Sequence, residues 1–202
     1  MRADVPLRVP LIAMTDPGAD GSAILQRMAA GSTMPRLVVM GPSGSGKSVV
    51  GEALAERLAA RFPDMAFVDA DDLHPAANVE KMRGGVPLDD DDRWPWLRLV
   101  GEALAAGDAG LVVACSALRR SYRDAIRVAC PTAAFVELVV PAHDLGERVR
   151  DRAGHFMPAA LLASQLDALE PLAEDESGVR VENVGPVDDV VSRAIAALEP
   201  GW

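Results

Sequence analysis

The chain has 202 residues, half of them hydrophobic, which is enough to bury the core of one α/β domain with a small lid. Thirty acidic and twenty basic residues give a net charge of −10, which repels phosphate backbones and argues against a nucleic-acid partner. A small anionic substrate is still compatible, since a pocket can be locally positive. Two cysteines exclude a disulfide framework, and no apolar run reaches membrane-spanning length. We therefore expect a cytoplasmic protein.

The chain divides into an irregular start and a regular remainder. Residues 1–33 are rich in Pro and Gly without a clear strand, which predicts a flexible N-terminal extension before a domain at 34–202. Beyond residue 34, apolar runs predict strands and helical spacings predict helices. The strands are expected at 37–40, 66–69, 110–114, 134–140 and 179–181, and the helices at 48–61, 76–82, 95–106, 118–128, 144–153, 158–169 and 187–198. This alternation predicts a three-layer α/β fold around a mostly parallel, five-stranded sheet.

A glycine-rich turn follows the first strand and opens the first helix. Its sequence, GPSGSGKS at 41–48, fits the phosphate-loop pattern in the strand-to-helix context that the pattern requires. Glycines let backbone N–H groups point at phosphate oxygens, Lys47 would bridge the β- and γ-phosphates, and Ser48 would ligate Mg²⁺. The residues predicted to bind ATP here are Gly41, Ser43, Gly44, Ser45, Gly46, Lys47 and Ser48. The loop by itself leaves GTPases, ATPases and small-molecule kinases open.

Two carboxylates follow the second strand, at the sheet edge where ligands bind in open parallel sheets. Asp69 and Asp71 stand in the run FVDADDLHP at 67–75. Carboxylates there can orient an acceptor hydroxyl, take its proton, or hold metal-bound water. We assign Asp71 to the acceptor hydroxyl, as a catalytic and substrate-binding residue, and Asp69 to the neighbourhood of Mg²⁺; either could serve in the other role.

Six sequence runs in order resemble the gluconate kinases of the phosphate-loop kinase group. Besides the phosphate loop and the aspartate run they include NVEKMRGGVPLDDDDRWPWL and CSALRRSYRD, followed by RVRDRAGHFM and SQLDALEPLAEDE. The resemblance covers about residues 36–198. Pro42, Ala70 and Asp89 depart from the usual pattern without removing a group that the chemistry uses. The resemblance implies ATP-dependent phosphorylation of D-gluconate at its 6-hydroxyl, with Mg²⁺, and a possible homodimer.

Gluconate is a polyol carboxylate, so its site needs a cation and several hydrogen-bonding groups. His74 either contacts substrate or caps a turn, and either Lys81 or Arg93 is expected to bind the carboxylate. Arg120 and Arg123 could reach the phosphates or the substrate. The other predictions are structural: Arg119 and Arg127 face solvent, Arg123 pairs with Asp124 at the surface, and Asp91 or Asp92 pairs with an arginine.

The region between the fourth and fifth strands resembles the mobile lid of such kinases, at about 148–170. Arg148 and Arg152 share one helix face there and are expected to bind phosphate, with Arg152 also catalytic. Closure would exclude water and so prevent ATP hydrolysis. Residues 183–186, after the last strand, are a weaker expectation for adenine contacts.

Two other functions are compatible with the sequence. The first is a kinase of the same shape for another small hydroxy acid, such as shikimate. The second is a non-catalytic nucleotide-binding module, which would bind ATP without acceptor-dependent ADP release. The presence of Lys47, Ser48, Asp71 and Arg152 argues against the second.

Overall fold

The computed structural model describes residues 34–150 and 159–198. In this part of the chain, five parallel strands form one sheet in the order β2-β3-β1-β4-β5. The strands are β1 (Arg36–Met40), β2 (Ala66–Asp69), β3 (Leu111–Ala114), β4 (Ala134–Val139) and β5 (Gly178–Glu182). The phosphate loop follows the central strand β1, and the aspartate run follows β2 at the same edge of the sheet. The predicted parallel α/β architecture is confirmed.

Seven α-helices lie in the described ranges. They are α1 (Lys47–Ala59), α2 (Ala76–Arg83), α3 (Asp90–Ala105), α4 (Arg120–Ala129), α5 (Ala142–Arg150), α6 (Ala159–Ala168) and α7 (Val187–Leu198). A single turn of 3-10 helix, Ala70–Leu73, connects β2 to the segment before α2. Within these ranges, no helix is long and apolar enough to cross a membrane.

Side chains alternate across the sheet and build two separate cores. On one face, Val38 and Met40 of β1 pack with α3 and α4, through residues such as Leu97 and Ile126. On the other face, Leu37 and Val39 pack with α1 and α7, through a second apolar cluster. A parallel sheet covered on both faces has nearly continuous apolar strands, as β1 does. The sheet is therefore the middle of three layers, and its C-terminal edge is left to hold the site.

Helix α3 begins earlier than the sequence pattern indicated. The prediction placed its start near Pro95, after the acidic residues 89–92, whose charges suit the positive start of a helix. The structure starts it at Asp90, because Asp89 forms a capping box: its carboxylate accepts from Asp92 N, and the Asp92 carboxylate accepts from Asp89 N. Three acidic residues then occupy the first turn, where the helix dipole stabilises them.

Parts of the sequence prediction lie outside the described residues. The N-terminal extension, residues 1–33, is one of them, and so is the segment 151–158 between α5 and α6 that contains Arg152. The domain division and the role of Arg152 therefore stay predictions.

Candidate active site

Glycines with positive φ give the phosphate loop its curved backbone. Gly46 has φ +86° and Gly41 has φ +148°, values that side-chain-bearing residues rarely adopt. A Cβ on Gly46 would lie 2.9 Å from Asn183 Nδ2, and a Cβ on Gly41 would lie 2.7 Å from Ser45 Oγ. Helix α1 starts directly after the loop, so its unpaired N-terminal N–H groups face the phosphate site. The backbone has the form that a phosphate-binding loop needs.

Asn183 braces the phosphate loop from the end of β5. Its side-chain amide donates to Ser45 O at 2.6 Å, and its backbone N–H donates to Val139 O at 2.9 Å. Sequence analysis gave 183–186 only a weak role at adenine and missed this contact. The sequence did contain a signal for a role of Asn183 at the site, because a polar residue directly after a parallel strand lies at the edge of the sheet where ligands bind.

Arg148 lies beside this brace. The guanidinium of this α5 residue donates to Asn183 O at 3.2 Å. An exposed cation near the end of the phosphate loop is consistent with its predicted nucleotide contact.

Ser48 and Asp69 meet at the start of α1. Ser48 Oγ donates to Asp69 Oδ2 at 2.6 Å, so one hydroxyl and one carboxylate oxygen converge next to the loop. Mg²⁺ prefers oxygen ligands, keeps several waters and takes one or two protein ligands plus phosphate oxygens. No cluster of three His, Cys, Asp or Glu side chains suited to a metal is present in the described ranges. The pair Ser48 and Asp69 fits the smaller demand of Mg²⁺ bound with a nucleotide.

Asp71 is held at the sheet edge by its neighbour. Its backbone N–H donates to Asp69 Oδ1 at 3.1 Å, which fixes the turn after β2. Partial burial of the carboxyl and the adjacent Asp69 charge raise the pKa of Asp71, while Lys47 and His74 oppose this shift. A carboxylate with a raised pKa, close to the lysine of the phosphate loop, is suited to accept a proton from a hydroxyl.

His74 interacts electrostatically with both Asp71 and Arg93. Its ring stacks on Trp96 at 4.2 Å between centroids, and Trp96 Nε1 donates to Ala70 O at 2.7 Å. Burial lowers the pKa of His74, the Asp71 charge raises it, and the Arg93 charge lowers it. The structure therefore brings Asp71, His74 and Arg93 to one side of the site.

Lys81 is bound to an aspartate. Its ammonium lies 2.6 Å from both carboxylate oxygens of Asp92, which caps α3. The Asp92 hydrogen bond is the main cause that raises the pKa of Lys81. Both candidates for the gluconate carboxylate thus have a carboxylate partner. Lys81 is bound closely by Asp92, whereas Arg93 lies 3.5 Å from Asp90 and also interacts electrostatically with His74.

Arg119 was predicted to face solvent, but it forms an ion pair with Asp90. Its guanidinium donates to Asp90 at 3.0 Å, and Tyr122 OH donates to the same carboxylate at 2.6 Å. The guanidinium carbons of Arg93 and Arg119 lie 5.8 and 5.5 Å from the Tyr122 ring centroid. The arginine partner in the acidic run is therefore Asp90, not Asp91 or Asp92, because Asp90 is the one that faces α4.

Arg123 lies in the protein interior and not at the site. Its guanidinium donates to both carboxylate oxygens of Glu176, at 2.7 and 2.6 Å, and both side chains are 1% exposed. It also donates to three backbone carbonyls, and Arg127 donates to Glu176 Oε1 at 3.1 Å. The predicted Arg123–Asp124 surface pair and the solvent-facing Arg127 are both wrong. Arg123 takes no part in the site proposed below, because its guanidinium is buried and already hydrogen-bonded to Glu176 and to backbone carbonyls.

Arg120 forms a paired contact at the surface. Its guanidinium donates to Asp175 at 3.0 and 2.6 Å, and its backbone N–H donates to Glu170 Oε2 at 2.6 Å. These bonds tie the start of α4 to the segment after α6. A role for Arg120 toward phosphate or substrate stays a prediction.

Gln165 of α6 reaches the phosphate loop. Its Oε1 accepts from Ser43 N at 2.8 Å, across 122 residues of sequence. The sequence of α6 does not predict this contact, because local sequence patterns do not show which distant residues the fold brings together.

Several known proteins similar to this chain are gluconokinases. A family model described as an AAA domain matches residues 37–172. The gluconokinase of Gluconobacter oxydans (strain 621H) is 45% identical over 163 residues, covering 79% of this chain and 88% of that protein. The thermosensitive gluconokinase of Escherichia coli (strain K12) is 40% identical over 169 residues, covering 80% of this chain and 87% of that protein.

A solved gluconokinase structure is also similar to this chain in its fold. The crystal structure of a gluconokinase from Sinorhizobium meliloti 1021 is 47% identical, with a TM-score of 0.73 over 83% of this chain and 93% of that one. The similarity thus extends over nearly the full length of these proteins, and the family-model match, residues 37–172, includes the phosphate loop and the aspartate run. The chain belongs to the gluconokinase family of phosphate-loop kinases.

Proposed function

We propose that this chain transfers the γ-phosphoryl group of ATP to the 6-hydroxyl of D-gluconate, giving 6-phospho-D-gluconate and ADP. The observation that carries the proposal is that the Asp71 carboxyl interacts electrostatically with Lys47 of the phosphate loop and with His74, which in turn interacts with Arg93. A candidate base thus lies within electrostatic reach of both a nucleotide site and residues suited to a polyol carboxylate. The identities of 40–47% with gluconokinases support the choice of acceptor.

The reaction needs positioning more than covalent chemistry. The 6-hydroxyl oxygen attacks the γ-phosphorus in line, the bond from that phosphorus to the β–γ bridging oxygen breaks, and ADP keeps the electron pair. Asp71 orients the hydroxyl and takes its proton. Lys47 neutralises charge on the β- and γ-phosphates, and the arginine of the lid, Arg152, is proposed to do so from the other side.

Mg²⁺ would be held by Ser48 and Asp69. When bound, it would supply positive charge that neutralises the phosphates of ATP during transfer. The hydrogen bond between Ser48 and Asp69, at 2.6 Å, keeps both oxygens together before the ion arrives. At the far end of the loop, the backbone at 183–186 is proposed to border the nucleotide base. Arg148, which donates to Asn183 O, is proposed to bind phosphate beside it.

The test is ADP release from MgATP with a panel of acceptors: D-gluconate, related sugar acids and shikimate. We expect release only with gluconate, and its loss in Lys47→Ala, because the lysine stabilises charge that develops on the transferred group. Release with another acid instead would overturn the acceptor and retain the reaction class. ATP binding with no release for any acceptor would favour the non-catalytic module.

The gluconate carboxylate is proposed to bind Arg93. A charge-assisted hydrogen bond contributes about 1.5–3 kcal/mol, so Arg93→Ala should raise the gluconate KM by roughly ten- to hundredfold. Selectivity for gluconate over D-glucitol, which has a hydroxymethyl group in place of the carboxylate, should fall by a similar factor.

Two matched variants separate carboxylate binding from a general change of charge. Arg83→Ala removes an arginine that is 75% exposed and paired only with Glu80 among the described residues, and should leave the KM within about twofold. Lys81→Ala should act mainly through the Asp92 cap and reduce stability. A larger KM effect in Lys81→Ala than in Arg93→Ala would reassign the carboxylate to Lys81.

A homodimer and a cytoplasmic location, implied by the family resemblance and the composition, stay predictions. So does the absence of a nucleic-acid partner, for which the net charge of −10 is the argument.

A further inference from the structure

One peptide group of the phosphate loop is held from both sides. The carbonyl of Pro42 accepts a hydrogen bond from Lys47 Nζ at 3.1 Å. The N–H of Ser43 donates to Gln165 Oε1 at 2.8 Å. These two groups belong to the same peptide bond, which is planar, so fixing the N–H direction also fixes the carbonyl direction. The Gln165 contact therefore bears on where the Lys47 ammonium is held.

Gln165 lies near the C-terminal end of the predicted lid segment, 148–170, where α6 is attached to the body of the domain. Just beyond the end of α6, Glu170 N donates to Leu118 O at 2.8 Å, and Leu172 N donates to the buried carboxylate of Glu137 at 2.7 Å. The same segment carries Glu176, the partner of Arg123. The C-terminal part of α6 is thus fixed to the body of the domain, and Gln165 lies within two turns of that attachment.

The two hydrogen bonds also reinforce each other. A peptide whose N–H is hydrogen-bonded has a more polarised carbonyl, so it is a stronger acceptor for an ammonium. Gln165 is half-buried, which limits competition from water for the Ser43 N–H.

We propose that Gln165 is a positioning residue for Lys47, acting through the Pro42–Ser43 peptide. It presets the ammonium for the β- and γ-phosphates before nucleotide binds. The contribution to catalysis rests on the proposed function, whereas the placement of Lys47 does not.

The sequence makes a direct test possible, because Lys47 and Lys81 are the only two lysines in the chain. Protein labelled with ¹³C-lysine should give two sets of ε-methylene NMR signals, and Lys47→Ala assigns them. Gln165→Met keeps the side-chain length and removes the carbonyl. We expect it to shift the Lys47 signal in the nucleotide-free protein and to leave the Lys81 signal in place. An unchanged Lys47 signal, or equal shifts of both, overturns the proposal.

A double-mutant cycle on MgATP affinity gives the second readout. Gln165→Met should raise the Kd about two- to tenfold when Lys47 is present, which is the range for one lost hydrogen bond. In the Lys47→Ala background the same change should have an effect of less than about twofold, since its route to the phosphates is gone. Equal factors in both backgrounds mean that Gln165 acts on the loop generally, which overturns the proposal.

A control variant and a substitute variant complete the experiment. Asp167→Ala, an exposed change on the same helix, should leave the Lys47 signal and the Kd unchanged. If Gln165→Met fails to fold, Gln165→Ala is measured in its place. Both readouts are independent of the acceptor, so a failure of gluconate phosphorylation would leave them intact. When the acceptor is confirmed, the MgATP kcat/KM should fall by the factor that the Kd rises.

Discussion

Asp71→Asn is expected to lower kcat for gluconate phosphorylation by about 10²- to 10⁴-fold, the usual contribution of a general base. Asparagine has nearly the same shape but cannot take the proton of the 6-hydroxyl. MgATP affinity should stay within about threefold, because Lys47, Ser48 and the loop backbone are unchanged. The measurement is steady-state transfer together with nucleotide titration. A variant that keeps more than a tenth of the wild-type kcat would contradict the role of Asp71.

The neighbouring aspartate provides the matched control. Asp72 is exposed and follows Asp71 on the same 3-10 turn, so Asp72→Asn removes an equal charge close by. It should change kcat by no more than about twofold, as expected for a surface charge. Equal losses in both variants would point to the local charge and not to proton transfer.

The pH dependence of Asp71 follows from the direction of its pKa shift. Partial burial and Asp69 raise its pKa above the ordinary value of 3.8. A base must be deprotonated, so kcat/KM should fall as the pH falls through this raised pKa. The acid limb of the profile should therefore lie above pH 3.8 and disappear in the residual activity of Asp71→Asn. An acid limb that persists unchanged in the variant would assign it to another group.

Glu176→Gln is expected to reduce the free energy of unfolding by about 3–5 kcal/mol, because it leaves the Arg123 guanidinium buried without a counter-charge. Both side chains are 1% exposed, so water cannot replace the lost partner. For a domain of this size the melting temperature should drop by roughly 6–20 °C. Urea unfolding and calorimetry provide the measurements.

The adjacent residue again offers a matched control. Asp175→Asn breaks the Arg120–Asp175 pair, whose side chains are 46% and 66% exposed. An exposed pair contributes about 0–1 kcal/mol, so this variant should be nearly as stable as wild type. If Asp175→Asn and Glu176→Gln destabilise equally, the buried pair is not the dominant interaction.

Acid sensitivity provides a second signature of the same pair. Burial opposes ionisation of Glu176, but hydrogen bonds from Arg123, Ala173 N and Arg127 outweigh it and hold its pKa at about 2. In the unfolded chain its pKa returns toward 4.5. The pair thus stabilises the fold fully above about pH 4.5, and this contribution is lost as the pH falls toward 2. Glu176→Gln should lack that part of the acid dependence, which pH-dependent unfolding can measure.

The position of Asp71 could be predicted from the sequence, whereas the Arg123–Glu176 pair could not. Asp71 was placed correctly at the sheet edge, since an apolar strand ending in a carboxylate is a local pattern. Arg123 was assigned to the site, although it is buried. Its counter-charge, Glu176, lies 53 residues away in the sequence. Local sequence patterns do not show that the fold brings these two side chains into contact. The same limit applies to Arg119, whose partner Asp90 lies 29 residues earlier.

The sequence by itself determined the parallel α/β architecture, the phosphate loop and the family resemblance. These depend on hydrophobic periodicity and on glycines with a fixed spacing, which are properties of short segments. Only the tertiary structure decided which charged groups meet. It paired Lys81 with Asp92, set Arg93 beside His74, and brought Gln165 to Ser43 across 122 residues. The physical reason is that a charged or polar side chain takes the partner that packing brings within hydrogen-bond distance, and packing is a property of the whole domain.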